Sequence, residues 1–212
     1  MVKIRWWGHA CFTLETAGGF VLATDPPSED VGFELPKIPV DAVTVSHDHY
    51  DHNAVNLLSG RPRVIKGPGR FEVGPAVITG WESFHDEKEG RLRGKNTVYV
   101  IELEGLKIGH LGDLGHRLDP EFIDRMGSLD VLFVPVGGVY TVDAKAAYQI
   151  VEDIRPRVVV PMHFKTPNCT VGIGPVDPFL SYFSEVERKE VLEVEKGSLP
   201  GSRTVVVLDY RH

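Results

Sequence analysis

Residues 45–53 read Val-Ser-His-Asp-His-Tyr-Asp-His-Asn, which puts three of the chain's nine histidines and two aspartates into the six positions from His47 to His52. The run follows Asp-Ala-Val-Thr-Val-Ser, a β-branched stretch of strand type. So dense a group of imidazoles and carboxylates is costly when desolvated without a partner. A divalent cation removes that cost, because neutral imidazole and carboxylate both ligate it well. The fold must therefore hold a metal-binding loop at the end of a strand and bring the remaining ligands to it from elsewhere.

The rest of the chain offers such groups at equivalent places. Lys-Ile-Arg-Trp-Trp-Gly ends at His9, Phe-Val-Leu-Ala-Thr at Asp25, and Val-Ile-Thr-Gly-Trp-Glu-Ser-Phe at His85. Leu-Lys-Ile-Gly-His-Leu-Gly ends at Asp113, and Arg-Val-Val-Val-Pro-Met at His163. With His47, six apparent strands each deliver a histidine or aspartate just past their C-terminal ends, the rim where ligands gather in sheet proteins.

Pattern and punctuation predict strands over 2–7, 11–16, 20–24, 41–46, 63–66, 76–82, 97–103, 106–111, 131–135, 157–161 and 204–208. Helices are predicted over 53–58, 119–126, 143–154 and 178–184, with Asp119-Pro120 and Asp143 as start signals. A run of strands followed by strands alternating with helices predicts an α/β fold. The expected architecture is a four-layer αββα sandwich of two mixed sheets flanked by helices. Residues 1–212 suit one domain, with two halves dividing near Gly105.

Composition narrows the function. A formal net charge of −7 argues against a broad nucleic-acid-binding surface. No apolar run approaches the ~20 residues of a spanning helix, and the Met1–Phe12 stretch lacks signal-peptide features. Two cysteines, Cys11 and Cys169, without paired spacing read as reduced thiols of a cytoplasmic protein. Gly137-Gly138 lacks the flanking pattern of a phosphate loop, and no Gly-x-Ser-x-Gly occurs, so neither nucleotide binding nor a serine nucleophile is supported.

Val-Ser-His-Asp-His-Tyr-Asp-His resembles the His-x-His-x-Asp-His signature of the metallo-β-lactamase-fold hydrolases. Asp25, His85, Asp113 and His163 follow in that family's order. Trp-Trp-Gly-His-Ala-Cys-Phe and the stretch from Pro135 to Phe164 resemble, more narrowly, the ascorbate phosphate lactonase-like branch. The resemblance implies two adjacent metal sites. His47, His49 and His85 would form one, Asp51, His52 and His163 the other, and Asp113 would bridge them. Asp25 would support the histidine loop without being a ligand. Such a shell suits two Zn²⁺ ions, with Mn²⁺ and Fe²⁺ as alternatives. Two cations about 3.5–4 Å apart would share a water and acidify it to hydroxide near neutral pH. Asp51 would bind metal and orient that nucleophile.

Other groups extend the candidate site. His9 could donate a proton or hydrogen bond to substrate, and His116 could contact substrate or replace His85, which a charged loop follows. His110 reads as a packed strand residue. Tyr140, Thr141 and Lys165 lie on strand exits, and Arg91, Arg93 and Lys95 make the loop after His85 locally basic, a feature of either an anionic-substrate site or a solvated hairpin. The first reading is a hydrolase of a small ester, lactone or phosphoester. The alternatives are an RNA or DNA phosphodiesterase and a non-hydrolytic metal-binding or redox protein. The oligomeric state is left open.

Overall fold

The computed structural model describes residues 1–210. Strand β1, Val2–Trp6, shows the logic of the whole: Val2, Ile4 and Trp6 are buried while Lys3 and Arg5 are half-buried, the period-two pattern of a strand with one face on the core. It pairs antiparallel with β2, Phe12–Thr16, which pairs antiparallel with β3, Val21–Thr24. Strands β4, Val40–Val45, and β5, Gly60–Lys66, then add in parallel.

Six further strands start the second sheet: β6, Gly69–Val73; β7, Ala76–Phe84; β8, Lys95–Leu103; β9, Leu106–His110; β10, Val131–Pro135; and β11, Val158–Met162. Strands β6 to β9 form an antiparallel meander, and β10 and β11 continue in parallel. Near the C-terminus β12, Val186–Lys189, and β14, Thr204–Leu208, extend this sheet. Between them in sequence, β13, Leu192–Val194, returns to pair with β1. The orders are β13-β1-β2-β3-β4-β5 and β12-β14-β11-β10-β9-β8-β7-β6.

One apolar cluster fills the space between the sheets. Phe12 and Phe133 stack across it with ring centroids 4.1 Å apart. Helices α1, Pro120–Met126, and α2, Ala144–Ile154, begin at Asp119 and Asp143, whose carboxylates accept from the N–H groups of Phe122 and Ala146. Helix α2 buries Ala147, Ile150, Val151 and Ile154, one face at helical spacing. A short helix α3 spans Asp177–Leu180.

Two sheets with helical cover meet the expectation of an αββα sandwich, although the helical layers are thin. The helix predicted over 53–58 is only a 3₁₀ turn, Val55–Leu57, with no buried residue and no side-chain cap. The helix predicted over 178–184 stops at Leu180. Nor does the chain divide near Gly105: that residue turns the β8–β9 hairpin within one sheet, where Leu103 pairs with Leu106. The first crossing between sheets lies instead between β5 and β6.

Candidate metal centre

The six strand exits picked out in the sequence converge at one end of the sandwich. His9 follows β1, Asp25 follows β3, His47 follows β4, His85 follows β7, Asp113 follows β9 and His163 follows β11. Cross-sheet contacts fix this end: Tyr99 Oη donates to the Val45 carbonyl at 2.9 Å, and His110 Nε2 donates to the Ala10 carbonyl at 2.9 Å. His110 is fully buried and is thus the packed strand residue expected of it.

Ligand atoms gather in three overlapping sets. They are His47, His49 and His85; His9, Asp51, His52 and His163; and His47, His52 and Asp113, with the atoms of each set within 4.8 Å of one another. Asp113 joins them. Its Oδ2 lies 3.2 Å from both His85 Nε2 and His163 Nε2 and 3.9 Å from His47 Nε2, while Oδ1 lies 3.2 Å from His52 Nε2. Asp51 Oδ2 lies 3.2 Å from His9 Nε2 and 3.8 Å from His52 Nε2.

A buried carboxylate, Asp25, organises the loop. Its Oδ1 accepts from the Ser46 backbone N–H at 2.8 Å, and its Oδ2 accepts from Ser46 Oγ at 2.5 Å and from His52 Nδ1 at 2.9 Å. Because the Ser46 hydroxyl proton points to Asp25, His47 Nδ1–H donates to Ser46 Oγ, at 2.9 Å. Both imidazoles are thereby held with Nε2 as the free lone pair. Ser46 was not singled out in the sequence; its place between strand end and His47 was the available signal. Asn96 was also missed, and nothing in the sequence marks it. Its Oδ1 accepts from Asp113 N–H at 3.0 Å, and its Nδ2 donates to the Leu111 carbonyl and Ser83 Oγ.

The electrostatics follow from burial and these pairings. Burial first, then neighbouring His52, pushes His47 down to about 3. Burial and then His163 lower His9 to about 4, against the hydrogen bond that His9 Nε2–H donates to Asp51. For His52 burial pulls the same way, but Asp113 and Asp25 outweigh it and raise the imidazole well above its ordinary value. Burial opposes ionisation of Asp113, and the surrounding His163 and His52 overcome it, holding the carboxyl well below the usual range.

Whether divalent ions fit here is answered by the unsatisfied atoms. His47 Nε2, His52 Nε2, Asp113 Oδ1 and both ring nitrogens of His163 are buried without a hydrogen-bond partner. Buried polar atoms normally have partners, so a concentration of orphans at one point calls for a ligand. Four ligands about 2.0–2.1 Å from a zinc ion in a tetrahedron stand about 3.3 Å apart. The 3.2 Å spacings around Asp113 match that edge. The donor set fits.

His116 does not join the cluster. Its Nδ1–H donates to the Arg117 carbonyl at 2.8 Å and its Nε2 accepts from Phe84 N–H at 3.2 Å, so neither nitrogen is free for a metal or substrate. His85 itself lies in the first of the three ligand-atom sets, with His47 and His49. The charged loop after it is folded around Asp86, whose carboxylate accepts from the N–H groups of Lys88, Gly90, Leu92 and Arg93. Thr141 donates to the Val142 carbonyl, and Lys165 is engaged by the Cys169 and Val171 carbonyls. Tyr140 does reach the site. It lines, with His49, Asp51, His85 and Asp113, an open cleft of about 590 Å³.

Comparison with known proteins agrees with this geometry. The family model described as the beta-lactamase superfamily domain matches residues 3–163. A UPF0173 metal-dependent hydrolase from Anaeromyxobacter sp. (strain K) is 33% identical over 207 residues, covering 77% of this chain and 75% of its own. A crystal structure from Thermotoga maritima, described as a candidate Zn-dependent hydrolase of the metallo-beta-lactamase superfamily, is 42% identical with a TM-score of 0.83, covering 98% of each chain. A metallo hydrolase from Ignicoccus hospitalis is 22% identical with a TM-score of 0.65, over 85% of this chain and 89% of that one, a likeness of fold.

Proposed function

The chain belongs to the beta-lactamase superfamily, among its metal-dependent hydrolases, and on that premise we propose that it cleaves an ester, lactone or phosphoester of a small molecule at a pair of divalent ions. The observation that carries the reading is the place of Asp113, whose Oδ2 lies 3.2 Å from both His85 and His163 and whose Oδ1 lies 3.2 Å from His52, so that one carboxylate meets both groups of histidines.

In this reading His47, His49 and His85 would hold one ion, Asp51, His52 and His163 would hold the second, and Asp113 would serve both. Nitrogen and carboxylate donors without sulfur suit Zn²⁺, with Mn²⁺ and Fe²⁺ as alternatives. When bound, such ions acidify water and polarise a carbonyl or phosphoryl oxygen. The chain's own part is to orient the imidazoles, Nε2 toward the cluster in His47 and His52, and to exclude solvent from them. His52 and His163 are fully buried, while His49 and Asp51 face the cleft where substrate enters. Asp51, at the cleft, would orient the attacking water. His9, fully buried with its Nε2 hydrogen-bonded to Asp51 Oδ2, would set which oxygen of that carboxylate is offered.

A small-molecule substrate is supported by the cleft volume, within the usual range of ligand sites, and by the acidic chain. A cytoplasmic setting is supported by two free, buried cysteines. Among the described residues no helix is long and apolar enough to cross a membrane.

The test combines metal analysis of untagged protein with turnover of lactones, phosphodiesters and phosphomonoesters. Two ions per chain and hydrolysis that Asp51→Ala or His49→Ala abolishes, with the fold retained, is the expected result. Turnover surviving complete metal removal would end the proposal.

A further inference from the structure

Near the metal centre the sequence clusters four basic side chains, and the structure sorts them. Arg91 lies 3.8 Å from Glu89, and Lys95 pairs with Glu82 at 2.7 Å. Lys165 is turned to the Cys169 and Val171 carbonyls. Arg93 alone lines the cleft at the metal centre, where no other lysine or arginine does so among the described residues.

Arg93 is held without being neutralised. Its Nη2 donates to the Val139 carbonyl at 3.1 Å, and its guanidinium carbon sits 5.5 Å from the centre of the Tyr140 ring. Its backbone N–H is fixed on Asp86 at 2.8 Å. Among the described residues no carboxylate pairs with it, although the chain carries seven more acidic than basic groups. A guanidinium has five N–H donors in a planar fork, and stacking on an aromatic face leaves most of them directed outward.

The partner turn carries backbone strain. Gly138 and Val139 both have left-handed backbones, φ 61° and 63°. For a β-branched residue that conformation is an outlier, of the kind that persists where surrounding structure fixes a functional geometry. It aims the Val139 carbonyl and the Tyr140 ring at Arg93. Beside this cation the lining is apolar and wet: Leu92 is 69% exposed, Tyr50 57% and Tyr140 41%, with Val171 nearby.

We propose that Arg93, stacked on Tyr140 and tied to Val139, recognises an anionic group of the substrate, whose apolar body lies against Leu92, Tyr140 and Val171. The substrate class is a small ester or lactone bearing a carboxylate or phosphate-type oxyanion away from the bond that breaks. This rests on the hydrolytic reading above. Arg93 is a specificity-determining residue, since bidentate guanidinium–oxyanion pairing discriminates far more strongly than an added methylene does.

Metal-loaded protein is assayed on three 4-nitrophenyl esters: the neutral butyrate, the hydrogen succinate and the 3-phosphonopropanoate. The wild type is expected to favour at least one charged ester in kcat/KM by about tenfold, and Arg93→Gln to lower that ratio about tenfold, with Arg93→Lys between them. The better charged ester identifies the oxyanion. A preference for the butyrate, or a ratio that Arg93→Gln leaves unchanged, overturns the proposal. If no ester is hydrolysed, the hydrolytic reading is what has failed, and binding decides on Arg93. Calorimetric titration with phenylacetate, phenylphosphonate and benzyl alcohol should then show an oxyanion preference that Arg93→Gln weakens about fivefold or more; anion binding independent of Arg93 overturns it.

Discussion

The backbone N–H of His163 donates to the carbonyl of His9 at 3.0 Å, and their imidazoles meet with centroids 4.0 Å apart, tilted by 43°. The two residues end strands of different sheets, β1 and β11, and both have left-handed backbones with φ 52°. The contact closes the sandwich at its active end. His9 is thus coupled to the proposed second ion site through a neighbour on each side, His163 by its ring and Asp51 by its hydrogen bond at 3.2 Å.

His9→Ala should therefore reduce turnover by about 10–100-fold, the usual cost of removing a group that orients a ligand, while metal content per chain falls less. Mass-spectrometric metal analysis beside kcat checks this. An unchanged rate would relegate His9 to packing, and loss of a full equivalent of metal would make it a ligand.

Asp25→Asn tests the support beneath the loop. The carboxylate accepts from His52 and from Ser46, and through Ser46 it also fixes His47. An amide keeps the size but no longer enforces both tautomers. Metal affinity, measured by competition with a chelator, should fall by about 10–100-fold with little change in secondary structure.

The metal-free protein should lose stability as pH falls from neutral toward 4. Buried His9 and His47 titrate at about 4 and about 3, whereas in the unfolded chain they take up protons near 6.5. Between those values the unfolded state binds more protons, so acid favours unfolding. His9 alone corresponds to a loss of about 3 kcal/mol over this window. His52 works in the opposite sense. Its raised value gives stability that is present below 6.5 and lost as pH rises through the folded value. Asp113, held low, loses its contribution only below the ordinary carboxylate range. Urea unfolding of chelated protein at pH 7 and pH 4.5 measures the net slope; a higher midpoint at pH 4.5 would contradict it.

Much of this site was legible because its residues obey a local rule. Each of His9, Asp25, His47, His85, Asp113 and His163 follows a strand whose apolar or alternating pattern is visible in the sequence, so chemistry and scaffold could be read together. What escaped lay at edges and in long-range contacts. Strands β6, β12 and β13 are sheet edges, and Glu187, Arg188 and Lys189 in β12 are exposed, so alternation gives no signal there. His116 looked like a site residue because it follows Asp113 closely in sequence. Its engagement by Phe84, 32 positions away, is visible only in three dimensions. The same holds for Arg93, one of three bases in a loop until Val139 and Tyr140 single it out.

Gly112 supplies the last test, since the position of Asp113 depends on it. Its backbone is left-handed, with φ 55°, and a Cβ there would stand 2.4 Å from Asn96 Oδ1 and 2.7 Å from Ser46 Cβ. Neither neighbour can yield without consequence: Asn96 Oδ1 holds the Asp113 N–H, and Ser46 links Asp25 to His47. Strain and overpacking each cost about 1–3 kcal/mol, so Gly112→Ala should destabilise by about 2–6 kcal/mol. The damage should also reach the ligands, giving weaker metal binding as well as an earlier unfolding midpoint. Gly105→Ala is the control. It too has a positive φ, 76°, but a Cβ there meets nothing within 4 Å. It should cost stability through its backbone alone and leave metal affinity at the wild-type value; equal metal affinity in both variants would show that Asp113 is placed by something other than the Gly112 turn.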